Sequence, residues 1–255
     1  MISDSRVINT AFEKKIAFKV ISGINNFKSD HVIDVAKAAE AGGATYIDMA
    51  ASARLIEKTK LCTSLPICVS AIQSNDLIQC LQVGVDIVEI GNYNCFYQLG
   101  DVFSSDKILK VARNVKTLLN GKKVLLAVTI PHILSKVEQL SLAVKLELLG
   151  INFIQTEGNT NYSEQDNILS LVERASSTLA ITYELSKTCN LPIICSSGLS
   201  EVTVPMAFSI GASGVGVGNV ISTLNTREEM QNKVRQIANS ITYLNDRVVQ
   251  TSKLF

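Results

Sequence analysis

The sequence predicts an α/β protein of the (βα)₈ or TIM-barrel class, in its aldolase-type, phosphate-binding form. Eight short runs rich in β-branched residues alternate with helical patterns along the chain, which indicates parallel strands joined by right-handed crossovers. The segment Leu65–Asn92 also resembles Leu191–Asn219, about half a chain further on. Such a repeat favours a closed barrel built from two halves over an open sheet. Chance similarity between two strand-helix-strand units is the alternative.

Each predicted strand is bounded by helical or turn patterns, and no linker or low-complexity tract interrupts the series. We therefore expect one barrel domain over residues 1–255, with residues 1–15 as a short N-terminal extension. The predicted strands are Ala17–Ile24, Tyr46–Ala51, Pro66–Ile72, Ile87–Tyr93, Val124–Ile130, Ile151–Glu157, Ile193–Ser197 and Gly214–Gly218.

A constant spacing between glycines and strand residues connects the even-numbered strands. Four predicted helices end in a glycine, where that residue adopts the left-handed cap. Five positions after each glycine comes a residue near the C-terminal end of the next strand; these four are Asp48, Glu89, Gln155 and Gly216. Three of the four equivalent positions therefore carry polar groups, and the fourth has no side chain.

The last strand alternates glycine with valine, from Gly214 to Gly218. In barrels of this class a phosphate often lies between the loops after strands seven and eight, where glycines let backbone N–H groups approach an anion. The predicted phosphate-binding residues are Ser197, Gly198, Leu199, Gly218 and Asn219. One alternative is a dinucleotide turn, but Asn219 stands where its third glycine would fall. Another is that the glycines relieve crowding where the barrel closes.

Four ionisable side chains are the catalytic candidates: Lys19, Asp48, Glu89 and Glu157. Lys19 interrupts an apolar strand, and an isolated buried ammonium is costly. It forms either a structural pair with Asp48, or a group tuned for proton transfer or Schiff-base formation. The two glutamates suit acid–base work or a sugar hydroxyl.

Weaker candidates are Ser70 and Thr129, which occupy similar positions on strands three and five. His132 follows Pro131 at the end of strand five. We favour a place in the first turn of a helix for it over a role as a loop acid or base.

Composition and charge exclude several classes of protein. The 255 residues carry 24 basic and 23 acidic side chains, a net charge of +1, which provides neither a nucleic-acid footprint nor a polybasic membrane anchor. No apolar run reaches the length of a membrane span, and no signal or transit peptide is expected. The six cysteines form no C-x-x-C pair and suit buried thiols. No metal site or cofactor is predicted, with a phosphate-held flavin left open. A homo-oligomer is compatible with the sequence.

Five segments resemble an uncharacterised family, hypothetical chloroplast open reading frame twenty-three, which is encoded in algal plastid genomes and found in cyanobacteria. They are "AFKVISGINNF", "AAEAGGATYIDMAA", "PICVSAI", "VDIVEIGNYNCFY" and "GVGVGNVIS". The resemblance runs nearly the full length and implies a phosphate-binding TIM barrel in the plastid stroma. It implies no reaction and no catalytic residue.

These observations lead to two hypotheses. The first is an enzyme acting on a small phosphorylated metabolite, as an isomerase, epimerase or lyase of a sugar phosphate. The second is a non-catalytic barrel that senses a phosphorylated ligand or acts through protein partners. For the enzyme, Lys19→Met should abolish turnover and leave ligand binding largely intact. The sensor should show no turnover at all and a ligand-dependent association with another protein. If Lys19 and Asp48 form only a structural pair, Lys19→Met should mainly lower thermal stability.

Overall fold

Eight parallel strands close into a barrel in which each strand pairs with its neighbours in chain order and the first pairs with the last. The computed structural model describes residues 5–97, 99–158 and 167–251. The predicted (βα)₈ fold is confirmed. The strands are β1 (Ala17–Ile21), β2 (Tyr46–Ala50), β3 (Ile67–Ala71), β4 (Ile87–Ile90), β5 (Leu125–Ile130), β6 (Phe153–Thr156), β7 (Ile193–Ser196) and β8 (Gly214–Val217).

Strands β1 and β4 each end three residues before their predicted C-terminal ends, because the backbone turns out of the sheet there. After β1, Gly23 has a φ of +108°. After β4, Asn92 has a φ of +64°, a left-handed conformation that asparagine tolerates better than most residues. These turns carry the chain over the C-terminal mouth of the barrel.

The helices cover the outside of the sheet, and apolar side chains from both pack in one large cluster. The glycines Gly43, Gly84, Gly150 and Gly211 follow helices with positive φ, as predicted. The helices are α1 (Ser5–Glu13), α2 (Ser29–Gly42), α3 (Ala53–Lys60), α4 (Ser74–Gln82), α5 (Asn94–Tyr97), α6 (Ser105–Leu118), α7 (Lys136–Leu149), α8 (Ile168–Thr188), α9 (Val204–Ser209), α10 (Asn219–Ser222) and α11 (Arg227–Thr251).

Helix α1 closes the N-terminal end of the barrel. It lies in the stretch that the sequence predicts to be an extension, of which residues 1–4 fall outside the described part of the chain. Ile8 and Ala11 are buried against the first inward-facing residues of the strands, and the Phe12 and Phe153 rings lie 4.6 Å apart. These contacts form an apolar plug at the N-terminal end of the barrel.

Candidate functional site

A polar layer crosses the middle of the barrel, above the apolar plug. The register predicted from the glycine caps is correct in space, because Asp48, Glu89 and Gln155 all face the interior together with Lys19. All four side chains are at most 1% exposed. A polar layer of this kind must satisfy its own charges and hydrogen bonds, since little water reaches it.

Lys19 binds two carboxylates at once. Its Nζ lies 2.6 Å from Glu89 Oε2 and 3.2 Å from Asp48 Oδ2. Burial alone would lower the pKa of Lys19, but the attraction of both carboxylates outweighs burial and raises it above the ordinary value of 10.5. A Schiff-base lysine needs a lowered pKa, so this arrangement favours the structural role over the nucleophilic one. The partner set is wider than the expected pair with Asp48.

Glu89 is the most heavily bonded member of the layer. Its Oε1 accepts hydrogen bonds from Thr129 Oγ1 at 3.0 Å and from Gln155 Nε2 at 2.9 Å. Burial raises the pKa of Glu89, Lys19 partly offsets this, and the nearby Asp48 charge raises it further. Ser70 Oγ donates to Asp48 Oδ1 at 2.6 Å. The two weaker sequence candidates, Ser70 and Thr129, therefore orient the carboxylates.

Asn92 is a site residue that the sequence analysis did not select. Its Nδ2 lies 3.3 Å from both Asp48 Oδ2 and Glu89 Oε1, and its Oδ1 accepts from Gln155 Nε2 at 3.1 Å. The signal was present in the repeat, where Gly91 and Asn92 correspond to Gly218 and Asn219. A glycine-asparagine pair that ends a strand indicates a left-handed turn, and here the turn aims the amide back into the barrel.

Glu157, the fourth catalytic candidate, belongs to a separate cluster at the mouth. It follows β6, and its partners come from the loops after β4 and β5. Tyr97 Oη donates to Glu157 Oε2 at 2.7 Å, and His132 Nδ1 lies 3.2 Å from the same oxygen. The backbone N–H of Asn94 donates to Oε1 at 3.1 Å. The four catalytic candidates are therefore divided between two clusters, with Lys19, Asp48 and Glu89 in one and Glu157 in the other.

The structure corrects the interpretation of His132. Helix α7 begins only at Lys136, so His132 lies in the preceding loop and not in a first helical turn. Its imidazole is held edge-on to the Tyr97 ring, with centroids 5.0 Å apart, and faces Glu157. This position agrees with the loop placement of His132 in the second alternative from the sequence.

Two of the alternating glycines on β8 are explained by packing. A Cβ on Gly214 would lie 2.6 Å from Ile194 Cδ1 and 2.7 Å from Ala17 Cβ. A Cβ on Gly216 would lie 2.8 Å from Ser196 Oγ. Crowding where the barrel closes therefore accounts for both. Gly218 differs, because a Cβ there would be 3.4 Å from its nearest neighbour, an ordinary contact.

The predicted phosphate residues divide into two groups. Ser197, at a φ of +86°, and the exposed Asn219 line one cleft at the mouth. Gly198 instead packs on helix α8, where a Cβ would lie 2.2 Å from the Arg174 carbonyl oxygen, and Leu199 is buried. Gly218 is the residue before α10. The loops after β7 and β8 thus meet at the cleft through Ser197 and Asn219.

The cleft has a volume of about 660 Å³, within the range of small-molecule sites. Amide side chains dominate its lining. One wall comes from the loop after β1, including the exposed Lys28. Gln155 and Glu157 lie on the β6 side, and the buried Gln155 Oε1 has no hydrogen-bond partner among the described residues. The further amides are Asn25, Asn26, Asn92, Asn94 and Asn219.

Within the described residues, no group of three histidine, cysteine or acidic side chains is placed to hold a metal ion. None of the helices described is long and apolar enough to cross a membrane. The six cysteines are all free thiols.

The fold and the cleft together define a TIM barrel with a polar site at its C-terminal mouth. Residues 2–247 match the family described as "Protein of unknown function (DUF561)", and the chain belongs to that family. It is 42% identical over 237 residues to "Uncharacterized protein ycf23" of Pyropia yezoensis, covering 92% of this chain and 86% of the relative. The protein of the same name in Cyanophora paradoxa is 40% identical over 246 residues, covering 94% and 98%.

These relatives confirm the family resemblance seen in the sequence, and their algal sources support the expected plastid origin. Solved structures of similar shape are far more distant in sequence. 3-Hexulose-6-phosphate synthase has a TM-score of 0.62 at 12% identity, with 88% of this chain and 99% of that chain covered. (S)-3-O-geranylgeranylglyceryl phosphate synthase from Thermoplasma acidophilum, in complex with sn-glycerol-1-phosphate, has a TM-score of 0.61 at 13% identity, with 94% and 99% covered. At these identities the likeness shows the fold alone.

Proposed function

We propose that this protein binds a small phosphorylated metabolite in the cleft at the barrel mouth and acts on it as an isomerase, epimerase or lyase, in the plastid stroma. The observation that carries this proposal is that one cleft joins the loops after β7 and β8 to polar groups on β6. Ser197, Asn219 and Glu157 all line it. A ligand whose phosphate contacts the first two and whose reacting carbon reaches Glu157 would use all three groups.

The phosphate would contact the backbone where β8 passes into α10. Gly218 leaves space at this point, since a Cβ there meets nothing closer than 3.4 Å. Ser197 and the Lys28 ammonium line the same cleft. Gly198 and Leu199 support the β7 loop from behind through their packing. The neighbours whose names include a phosphorylated compound share this fold, which supports the choice.

The amide lining favours a hydroxyl-bearing carbon chain between the two ends. An amide offers one donor group and one acceptor group, as a row of sugar hydroxyls requires. Gln155 Oε1 is a buried acceptor without a partner among the described residues, and an unmet acceptor is costly. A sugar phosphate therefore matches the cleft better than an apolar phosphate ester does.

Native mass spectrometry of the purified protein, followed by denaturation, tests this proposal first. A released sugar phosphate, or a flavin, would support a phosphate-binding cleft. Thermal shifts with inorganic phosphate and with ribose 5-phosphate extend the test to protein purified without ligand. We expect Lys28→Gln and Asn219→Ala to reduce the shift, and Lys122→Gln, at the opposite end of the barrel, to leave it unchanged. An apo mass together with no shift for any phosphate compound would overturn the proposal.

One observation favours the non-catalytic alternative. Lys19 and Glu89 are fully buried and Asp48 is 1% exposed, and none of the three lines the cleft. A barrel whose ion cluster only stabilises the fold still binds a phosphorylated ligand and reports it to a partner. In that case the bound compound is recovered unchanged after long incubation, and its addition changes association with a second copy or another protein.

A further inference from the structure

Three loops on one side of the barrel mouth converge on the Glu157 carboxylate. Asn94 and Tyr97 come from α5 after β4, His132 from the loop after β5, and Glu157 itself follows β6. The Glu157 side chain is only 3% exposed, yet it lines the cleft. A carboxylate that is shielded from bulk water and open to a ligand site suits proton transfer.

We propose that Glu157 removes a proton from the carbon beside the carbonyl group of a bound phosphorylated ligand, with His132 and Tyr97 as positioning residues. The assignment rests on the proposed function, because it requires a ligand in the cleft. It names the reacting end of that ligand as an aldehyde or ketone with an adjacent C–H bond. It also separates this chemistry from the buried cluster around Lys19.

Among the residues that the structure describes, the hydrogen bonds leave one oxygen of Glu157, Oε1, with spare capacity. Oε2 accepts from the Tyr97 hydroxyl at 2.7 Å and faces His132 Nδ1 at 3.2 Å. Oε1 accepts the Asn94 N–H at 3.1 Å, and a carboxylate oxygen has a second lone pair for an incoming proton. Burial and the neighbouring Glu157 charge raise the pKa of Tyr97, so its hydroxyl stays protonated and continues to donate.

His132 acts on the carboxylate and not on the ligand. With Nδ1–H directed at Glu157, the other ring nitrogen, Nε2, has no partner within the described ranges. An imidazole paired with a carboxylate fixes the orientation and the charge of the acid–base group. Tyr97 packs edge-on against the imidazole at an interplanar angle of 77°, which restricts rotation of both rings.

In the proposed step, the C–H bond next to the carbonyl breaks and its electron pair forms the enolate. The proton forms an O–H bond with Glu157. Where the carbon that loses the proton also carries a hydroxyl, that hydroxyl proton moves to the enolate oxygen, and return of the carbon proton to the former carbonyl carbon gives an isomerised ligand. Return of the proton to the same carbon regenerates the starting compound. In heavy water the carboxyl proton exchanges with solvent, so deuterium appears on the ligand carbon even if no net product forms.

The competing explanation is a brace in which Glu157 only ties three loops together. Deuterium exchange followed by NMR separates the two roles without knowledge of the natural substrate. The wild-type protein is incubated in D₂O with dihydroxyacetone phosphate, ribulose 5-phosphate and ribose 5-phosphate, and with propyl phosphate as a compound that has no carbonyl group. We expect exchange for at least one carbonyl compound at a rate above the protein-free sample.

Glu157→Gln should lower that rate at saturating ligand by about 100-fold or more, the usual contribution of a general base, while the thermal shift with phosphate persists. Tyr97→Phe keeps the ring packing and removes only the hydroxyl, and His132→Asn removes the imidazole; both should lower the exchange rate without abolishing binding. Glu184→Gln, a partly exposed glutamate on α8, is the matched control and should exchange as wild type does.

The outcomes distinguish the two proposals. Ligand binding without exchange on any carbonyl compound overturns the acid–base assignment and leaves the binding site standing. Failure of every phosphate compound to bind overturns the proposed function itself. If Glu157→Gln does not fold, Tyr97→Phe decides between the two roles of Glu157. A lowered melting temperature with an unchanged exchange rate shows that the Glu157 cluster only ties the loops together. A lowered exchange rate at an unchanged melting temperature shows that Tyr97 positions Glu157 for proton transfer.

Discussion

Lys19 Nζ on β1 donates a hydrogen bond to Glu89 Oε2 on β4 at 2.6 Å, across the interior of the barrel. Asp48 contacts the same ammonium from β2 at 3.2 Å. Two carboxylates therefore share one cation in a region that water does not reach, and full ionisation would leave one negative charge in excess. Burial raises the pKa of Glu89, and the attraction of Lys19 only partly offsets this rise.

Lys19→Met should destabilise the fold strongly. The substitution leaves two buried carboxylates without their cation, and breaking a buried ion pair from one side costs about 3–5 kcal/mol. Glu89→Gln should cost less, because Lys19 and Asp48 then remain as a one-to-one pair. Urea unfolding at neutral pH measures both variants. Equal stability of Lys19→Met and the wild type would show that the cluster does not contribute to the core.

The stability difference between Glu89→Gln and the wild type should depend on pH. The folded-state pKa of Glu89 is raised by burial above its ordinary value of 4.5, despite the opposing attraction of Lys19. Folded protein then holds this proton more tightly than unfolded protein does, so the contribution of Glu89 is fully present below pH 4.5 and declines as pH rises towards the shifted pKa. The glutamine variant lacks this decline.

Unfolding midpoints of both proteins at a series of pH values from 4 to 8 provide the measurement. The stability that Glu89→Gln loses relative to the wild type should become smaller as pH rises above 4.5, because the wild-type contribution declines. A constant difference would mean that Glu89 titrates in the folded protein as it does in the unfolded chain. Lys19, whose pKa is raised above 10.5, adds a second decline only above that pH.

Much of this polar layer was predictable from the sequence. Glycine caps repeat at a fixed distance before β2, β4, β6 and β8, so Asp48, Glu89 and Gln155 could be assigned to equivalent positions before any contact was known. The closed barrel follows from the same regular alternation. Local signals are sufficient here because a (βα)₈ barrel repeats one simple unit with one register.

The cluster around Glu157 was only partly predictable, because it depends on where three irregular loops meet. Tyr97 and Asn94 lie in a four-residue helix that gives no periodic signal, and His132 lies in a turn that resembles the start of a helix.

The role of the glycines on β8 was also ambiguous in the sequence. Alternating glycine indicates either crowding or a ligand, and the neighbours that decide, Ile194 and Ser196, come from another strand.

Gly198→Ala should destabilise the fold much more than Gly218→Ala does. At Gly198 the φ of +69° and the Arg174 carbonyl, 2.2 Å from a Cβ, leave no room. We expect a loss of about 1–3 kcal/mol from overpacking, beyond the cost of a left-handed alanine. At Gly218 the nearest atom is 3.4 Å away, so the effect on stability should stay within about 1 kcal/mol.

The same pair tests the phosphate site. A methyl group on Gly218 would stand beside the backbone N–H groups where β8 meets α10, so Gly218→Ala should reduce the thermal shift produced by inorganic phosphate. Chemical denaturation and thermal shift are measured on both variants. A phosphate response that survives in Gly218→Ala would place the anion elsewhere in the cleft.

His31→Ala should reduce phosphate binding clearly, while it lowers the stability of the fold only modestly. Asn26 Nδ2 lies 2.8 Å from His31 Nδ1, and because an amide nitrogen only donates, Nδ1 is the acceptor. The ring proton is therefore on Nε2, which donates to the Ser222 carbonyl oxygen at 2.8 Å. The imidazole thus connects α2 to the C-terminal end of α10, whose first residue, Asn219, lines the cleft. Loss of these two hydrogen bonds should cost about 1–2 kcal/mol of stability, but it frees α10 to move relative to the loop after β1.

Scanning fluorimetry with and without inorganic phosphate measures the stability and the phosphate response of the wild type, His31→Ala and His31→Gln. Glutamine is long enough to restore one of the two contacts, so it should recover part of the phosphate response. An unchanged response in His31→Ala would show that α10 holds its position without this connection, and that the anion site does not depend on it.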